Sequence, residues 1–456
     1  MHEFRRRVRV AVPVETLFAW HERPGAFVRL APPWETPTVV SHTGGIRDGA
    51  RVELRVHVGP VPTTWKIEHR DYIANRQFRD VMLEGPFAEF VHTHAFEREG
   101  ESASVLEDHI GYRMPLAPIG EVGQHFAAET LDRVFRYRHA LLAHDIARHA
   151  AFSDRPRMRI AITGATGFIG TQLAAFLTTG GHEVVRIGRG DLKPGVVDVS
   201  WDPHRGTLDP RSLEGIDAVI HLAGASIAER WTTEHQRAIR ESRVEGTSLL
   251  AHTLAQLSRK PRVLLSGSAI GAYGDRGDEV LTEKSSLGSD FLAEVCKVWE
   301  GATEPAAKAG IRVVNLRTGI VQGAAGGALA KQLPFFRFFV GGTLGPGTQW
   351  VSPIALSDHI AATHFCMMRD DVSGPVNLVA PAATTNAEYT RVLAHVLGRP
   401  AIAPVPAFAL RLVLGEAMAN GTVLASQRAT PEVLQRAGFE WGWPSLEGML
   451  RHELGC

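Results

Sequence analysis

Cysteine is nearly absent: the 456 residues hold three, Cys296, Cys366 and Cys456, far apart and odd in number. That excludes a disulfide framework and a cysteine-rich zinc site, and points to a reducing compartment. A surplus of either charge is also missing, since Lys plus Arg and Asp plus Glu both number 49. Nucleic-acid binding and polybasic membrane attachment are therefore not expected, because phosphate contacts need a positive excess. Long apolar runs are absent too. The N-terminal MHEFRRRVRVAVPVETLF is basic without a secretory h-region, and Ala401–Ala425 is interrupted by Pro404, Pro406, Arg411, Glu416 and Asn420. What is present, 44% apolar and 21% charged residues, is the balance of a soluble, cytoplasmic globular protein. At roughly 150 residues per domain the length suggests two or three folded units.

The pattern changes near residues 150–157. Before it, Val52, Leu54, Val56 and Val58 alternate with Arg51, Glu53, Arg55 and His57, the period of a half-buried antiparallel strand. Similar runs cover Thr64–Arg70, Gln77–Glu84, Ala88–Glu97 and Ser104–Tyr112. From Gly120 to His149 the period becomes helical, with Phe126, Leu131, Val134, Phe135, Leu141, Leu142 and Ile146 on one stripe. A polar linker, Phe152–Arg157, follows. Beyond Met158 short apolar strands (Arg159–Thr163, His182–Ile187, Ala218–Leu222, Arg262–Ser266, Arg312–Leu316) alternate with helical stretches such as Gly170–Thr179. Such alternation predicts an α/β unit, a Rossmann-like doubly wound parallel sheet with helices on both faces. The tail from about Pro400 reads as helical with breaks, a small appended lobe.

Chemistry concentrates after the first of these strands, in Gly164-Ala165-Thr166-Gly167-Phe168-Ile169-Gly170. Gly164 permits a tight turn, Gly167 lets the backbone approach a pyrophosphate, and Gly170 allows close helix–sheet packing. The phosphates then sit on free N–H groups at a helix N-terminus. In this strand–turn–helix setting dinucleotide binding is the stronger reading; a ligand-free glycine turn is the weaker. The next strand ends in Gly188-Arg189 rather than in an acidic residue, which favours the 2′-phosphate of NADP over the 2′-hydroxyl of NAD.

These residues occur in order with His221-Leu222-Ala223-Gly224, Ile239–Arg243, Ser266–Gly274, Asp290–Cys296, Leu316–Gly319 and Gly341–Trp350. Together they resemble the atypical short-chain dehydrogenase/reductase family of epimerase/dehydratase-like proteins, over about residues 158–455. The resemblance implies an NADP-binding Rossmann domain over 158–400 and a C-terminal extension over 401–456 that completes the substrate lobe. It also implies a cofactor site lined by Gly188, Arg189, Leu222, Ala223, Gly224, Arg243 and Val321. Residues 1–152 resemble a START-like (SRPBCC, polyketide-cyclase-type) α+β helix-grip domain, which implies an apolar ligand cavity.

The same resemblance sets Leu292 and Cys296 in the slots of the usual catalytic Tyr and Lys, and Ser268 in that of the catalytic serine. Leucine transfers no proton, and a neutral thiol does not replace a fixed ammonium. Tyr273, close after Ser268 at a strand's C-terminal end, is the leading proton-transfer candidate; a wall residue of the pocket is the alternative. Cys296 reads better as a small buried side chain than as a nucleophile. Within the family pattern this chain departs at Ala225, Ala272-Tyr273 and Pro353-Ile-Ala355 followed by Asp358.

Other signals are weaker. His92-Thr-His94 offers two metal ligands without an apparent third, so a solvated strand face and no metal site are expected. His139, His144 and His149, spaced by five, do not share one helical face. Phe335, Phe336, Phe338 and Phe339 suit a core or pocket wall, or alternatively a dimer surface or a cover for the N-terminal domain. The combined expectation is an NADP-dependent oxidoreductase acting on a small, apolar carbonyl or alkene, with a hydrophobic-ligand domain at the N-terminus. The alternatives are a non-catalytic NADP(H) sensor and a redox-neutral epimerase or dehydratase. Oligomeric state is not encoded legibly.

Overall fold

The computed structural model describes residues 1–35, 37–58, 61–115 and 120–456. They form two compact units: Met1–Arg155 with Ala175–Gly181 and Gly455, and Pro156–Ala174 with His182–Leu454 and Cys456.

The first unit is a seven-stranded antiparallel sheet. Its strands are β1 (His2–Val10), β2 (Thr38–Thr43), β3 (Arg51–Val58), β4 (Val61–Ile73), β5 (Gln77–Glu84), β6 (Glu89–Glu99) and β7 (Ala103–Arg113), in the order β1-β7-β6-β5-β4-β3-β2. Two short helices, α1 (Val14–Glu22) and α2 (Ala26–Leu30), follow β1, and the long helix α3 (Gly120–Ala150) closes the unit. Alternation sets the inner face, as expected for a sheet buried on one side. Along β6 the buried residues are Phe90, His92, His94 and Phe96, and along β7 Leu106, Asp108, Ile110 and Tyr112. These pack with Val134, Phe135, Leu142 and Ile146 of α3 and with Leu17, Phe18 and Trp20 of α1. A sheet curled on a long helix is the expected helix-grip fold. The strand β1 is hidden in the arginine-rich N-terminus: Phe4, Val8 and Val10 face inward, while Arg7 and Arg9 turn outward to Glu97 and Glu99. Phe126, expected on the apolar stripe, is exposed.

One expectation fails here. His92 and His94 lie on no solvated face; both are buried, because β6 is a central strand whose even-numbered side chains from Phe90 to Phe96 point inward. His139, His144 and His149 are all buried as well.

The second unit is an eight-stranded sheet. Its strands, in chain order, are β8 (Arg159–Thr163), β9 (Glu183–Gly188), β10 (Val199–Asp202), β11 (Thr207–Leu208), β12 (Ala218–His221), β13 (Val263–Ala269), β14 (Arg312–Thr318) and β15 (Gly374–Leu378). In space they run β11-β10-β9-β8-β12-β13-β14-β15, all parallel except β11. The helices used below are α4 (Phe168–Thr179), α5 (Thr233–Gln256) and α6 (Phe291–Gly301). Strands β8, β12 and β13 are buried on both faces, so they read as continuous apolar runs. The chain order reverses between β8 and β12, which places the topological switch point at their C-terminal ends. The tail is packed into this unit: Arg428–Ala429 pairs with Val280–Leu281, and Leu450 and Leu454 join a core with Leu329, Leu333, Phe336 and Leu393. Of the phenylalanine run, Phe336 enters that core, while Phe335, Phe338 and Phe339 are exposed. No helix among the described residues is long and apolar enough to cross a membrane.

Candidate functional site

The switch point is built by two loops tied at their roots. Thr163, the last residue of β8, places its hydroxyl 2.7 Å from Nδ1 of His221, and it accepts from the N–H of Leu222 at 3.1 Å and of Ala223 at 3.2 Å. Burial pushes His221 down to about 4, so its ring is neutral and serves as a fixed hydrogen-bonding wedge.

The glycines of the turn are each required by space. Gly164 has φ +71°, and a Cβ there would lie 2.9 Å from the carbonyl carbon of Leu222. A Cβ on Gly170 would lie 2.1 Å from the Gly164 oxygen. The Gly167 N–H closes the turn on the Gly164 carbonyl at 3.0 Å. Among the described residues, the N–H groups of Ala165, Thr166, Phe168, Ile169 and Gly170 have no acceptor. Five unpaired donors at the start of a twelve-residue helix form an anion cradle. Phe168 packs under a second glycine loop, where a Cβ on Gly323 or Gly326 would meet its ring at 2.6 and 2.5 Å. Val321 lies at the start of that loop and is nearly buried.

Arg189 follows β9 directly and is exposed. Among the described residues it has no hydrogen-bond or ion-pair partner, which leaves its guanidinium available to a ligand. Gly188 is confined by Val197, whose Cγ2 would sit 2.8 Å from an added Cβ. Arg243 differs: it donates to the carbonyls of Ala225 and Ile239 at 3.1 and 3.0 Å, lies over the Trp299 ring and presses against Gly224. Burial lowers its pKa from the ordinary arginine value, yet it stays a cation and brings positive charge to this loop.

The residues expected to be catalytic lie in a buried polar network at the C-terminal ends of β13, β14 and β15. Register aligns Ser268 with Arg317 and Arg317 with Asn377. Ser268 donates to Glu300 Oε1 at 2.7 Å, and Arg317 grips both oxygens of Glu300 at 2.8 Å. Tyr273 is fully buried; its hydroxyl donates to Asn377 Oδ1 at 2.7 Å and accepts from Arg317 at 3.1 Å. Burial raises the Tyr273 pKa, against the opposing pull of Arg317, so the phenol stays protonated at neutral pH. Cys296 lies 3.8 Å from the Ala269 carbonyl, and burial raises its thiol to about 11, which rules out a resting thiolate. Glu300, Arg317 and Asn377 are the members that sequence reasoning passed over. For Arg317 and Asn377 the signal was a charged and an amide side chain set in β14 and β15, whereas Glu300 on α6 carried none. Asp358 is fully buried and accepts from the N–H groups of Gly442 and Trp443, a tie between helix and tail.

A glycine turn with unpaired amides, set at the switch point of a parallel sheet, defines an NAD(P)-binding α/β protein of the short-chain dehydrogenase type. Residues 160–379 match the model of the NAD dependent epimerase/dehydratase family, and the chain belongs to that family. Residues 10–135 match a "Polyketide cyclase / dehydrase and lipid transport" model, and 405–453 a domain of unknown function, DUF1731. An epimerase family protein of Mycobacterium bovis is 40% identical over 283 residues, 62% of this chain and 93% of the relative. The crystal structure of a Corynebacterium glutamicum protein described as a nucleoside-diphosphate sugar epimerase matches 99% of this chain and 90% of its own, at 33% identity and TM-score 0.82. A human epimerase family protein, SDR39U1, solved with NADPH, matches 64% of this chain and 98% of its own at 30% identity and TM-score 0.59.

Proposed function

We propose that this protein is an NADP(H)-dependent oxidoreductase for a small, apolar carbonyl or alkene, with a first unit that takes up a hydrophobic ligand. The observation that carries the cofactor reading is the pairing of five unpaired amides after Gly164 with an unpartnered Arg189 after β9. The human relative solved with NADPH supports the choice of NADP. The residues named for this site are Gly164 to Gly170 for the pyrophosphate and Gly188 and Arg189 for the 2′-phosphate. Leu222, Ala223, Gly224, Arg243 and Val321 are assigned to the remaining walls. NADPH, when bound, supplies the hydride.

Ser268 is assigned to orient the substrate oxygen, with Glu300 fixing its rotamer. Tyr273 has its hydroxyl engaged at both ends, so we assign it a positioning role through Arg317 and Glu300 rather than direct proton transfer. The test is NADPH oxidation across a panel of small carbonyl compounds and enones. Ser268→Ala should abolish turnover and leave NADPH affinity unchanged. Tyr273→Phe should lower kcat less than tenfold and preserve the pH profile, whereas loss of that profile would restore direct proton transfer. Arg189→Ala should weaken NADPH at least tenfold and NADH little, as fluorescence titration reports.

A second reading, redox-neutral epimerisation, is favoured by the description of the Corynebacterium relative as a sugar epimerase. Product formation with no net change in NADPH absorbance would select it. Binding without turnover across both substrate classes would select a sensor, in keeping with Leu292 and Cys296 where Tyr and Lys are usual.

A further inference from the structure

The inner face of the first unit's sheet carries a row of polar side chains where an apolar core is expected. Cross-strand register creates the row: His69 of β4 faces Asp80 of β5, Asp80 faces His92 of β6, and His94 of β6 faces Asp108 of β7. Helix α3 adds His139, whose Nε2 lies 2.6 Å from Asp108 Oδ2. His92, His94, Asp108 and His139 are each more than nine-tenths buried. Phe78 stacks on His94 at 4.2 Å and Phe135 meets His92 edge-on, so the surroundings are apolar.

Among the described residues, no Lys or Arg forms an ion pair with Asp80 or Asp108; the part-buried Arg138 acts on both only at a distance and donates to the Leu30 carbonyl. Two carboxylates in an apolar setting need compensation, which a protonated imidazole or a bound metal ion supplies.

The distances indicate which cation. Asp80 Oδ2 lies 3.6 Å from His92 Nδ1 and 3.4 Å from His94 Nε2, and the three ligand atoms all lie within 4.8 Å of one another. Those gaps are too long for charge-assisted hydrogen bonds, about 2.7–2.9 Å. They match the roughly 3.3 Å edge of a tetrahedron around zinc with bonds of about 2.0 Å. The opposite nitrogens both face Asp108: His92 Nε2 hydrogen-bonds its Oδ1 at 2.8 Å, as a metal-bound imidazole requires, and His94 Nδ1 lies 2.8 Å from the same oxygen without hydrogen-bond geometry. His69 Nδ1 holds the other oxygen of Asp80 at 2.8 Å. A carboxylate hydrogen-bonded behind a ligating imidazole, as Asp108 is behind His92, orients the ring and raises its basicity.

We propose that Asp80, His92 and His94 bind one divalent transition-metal ion of the zinc class inside the first unit, with Asp108 and His69 holding the ligands in place. Asp80 is the third ligand that the sequence did not reveal. It is 12 positions from His92 in the chain and directly opposite it in the sheet. Two nitrogens and one oxygen leave a coordination position open to water or to an oxygen of the ligand that this unit takes up.

The test uses full-length protein stripped with a chelator and titrated with zinc by calorimetry and with cobalt(II) by visible absorption. One equivalent should bind, with the intense visible bands of tetrahedral cobalt, and zinc should displace it. The double variant His92→Gln/His94→Gln should lose the bands and the binding. Asp108→Asn should keep the stoichiometry and weaken affinity about 10- to 100-fold. His42→Gln, on the exposed edge strand β2, should change nothing. Failure of the wild-type protein to take up one equivalent overturns the proposal, and so does equal uptake by the double variant. Should that variant not fold, the wild-type cobalt spectrum decides alone, since a weak octahedral spectrum would also overturn it.

Discussion

Individual residues matter here where space leaves no alternative. At Gly170 an added methyl would meet the Gly164 carbonyl at 2.1 Å, and backbone cannot yield as a flexible side chain can. Gly170→Ala should therefore destabilise the second unit by about 1–3 kcal/mol and abolish NADPH binding, read by urea denaturation and fluorescence titration. The cysteines make a second case. Burial raises Cys296 to about 11 and Cys366 to about 12, whereas Cys456 is exposed. Iodoacetamide at pH 8 should label Cys456 on native protein and leave the other two unmodified until the chain unfolds, as mass spectrometry of peptides would show. Rapid native labelling of Cys296 would instead reveal a reactive thiolate.

Secondary-structure elements act through what their register brings into line. Ser268, Arg317 and Asn377 sit side by side on adjacent strands, and α6 lowers Glu300 onto them. The Arg317 and Glu300 side chains are only 5% and 13% exposed, so breaking the pair leaves a buried charge without a partner. Arg317→Met should cost about 3–5 kcal/mol. Ser268→Ala, which removes one hydrogen bond at the edge of the network, should cost about 1 kcal/mol. Urea midpoints of the two variants measure the difference; equal midpoints would mean that Arg317 is not holding the network. Helix and strand types were legible here because each element carries its own period. Elements that lacked one were passed over, as with β1, whose arginines masked an alternation completed only by acidic partners on β6 and β7.

At the scale of the whole molecule, buried neutral histidines set a pH limit. Burial lowers His221 and His359 from 6.5 to about 4. The unfolded chain takes up protons near 6.5 while the folded unit refuses them until about 4, so folding is favoured above that window and loses ground as pH falls through it. Each ring contributes up to about 3 kcal/mol of this loss. Denaturant midpoints of the second unit should therefore fall from pH 6.5 to pH 4, and His359→Gln should flatten the fall. A midpoint independent of pH across that interval would show that the rings are not held neutral.

The sequence by itself determined the helix-grip and Rossmann classes, the glycine turn and the arginine after the second strand. Each of these is written in local order, in a period, a spacing or a dipeptide that the chain carries within a few tens of residues. Only the tertiary structure decided that Asp80 stands opposite His92, that Tyr273 is locked between Asn377 and Arg317, and that Glu300 holds Ser268. Those pairs are joined by strand register and by the approach of helix to sheet. Both are fixed by burial of whole faces, so side chains far apart in the chain share a few ångströms for reasons that no local pattern records.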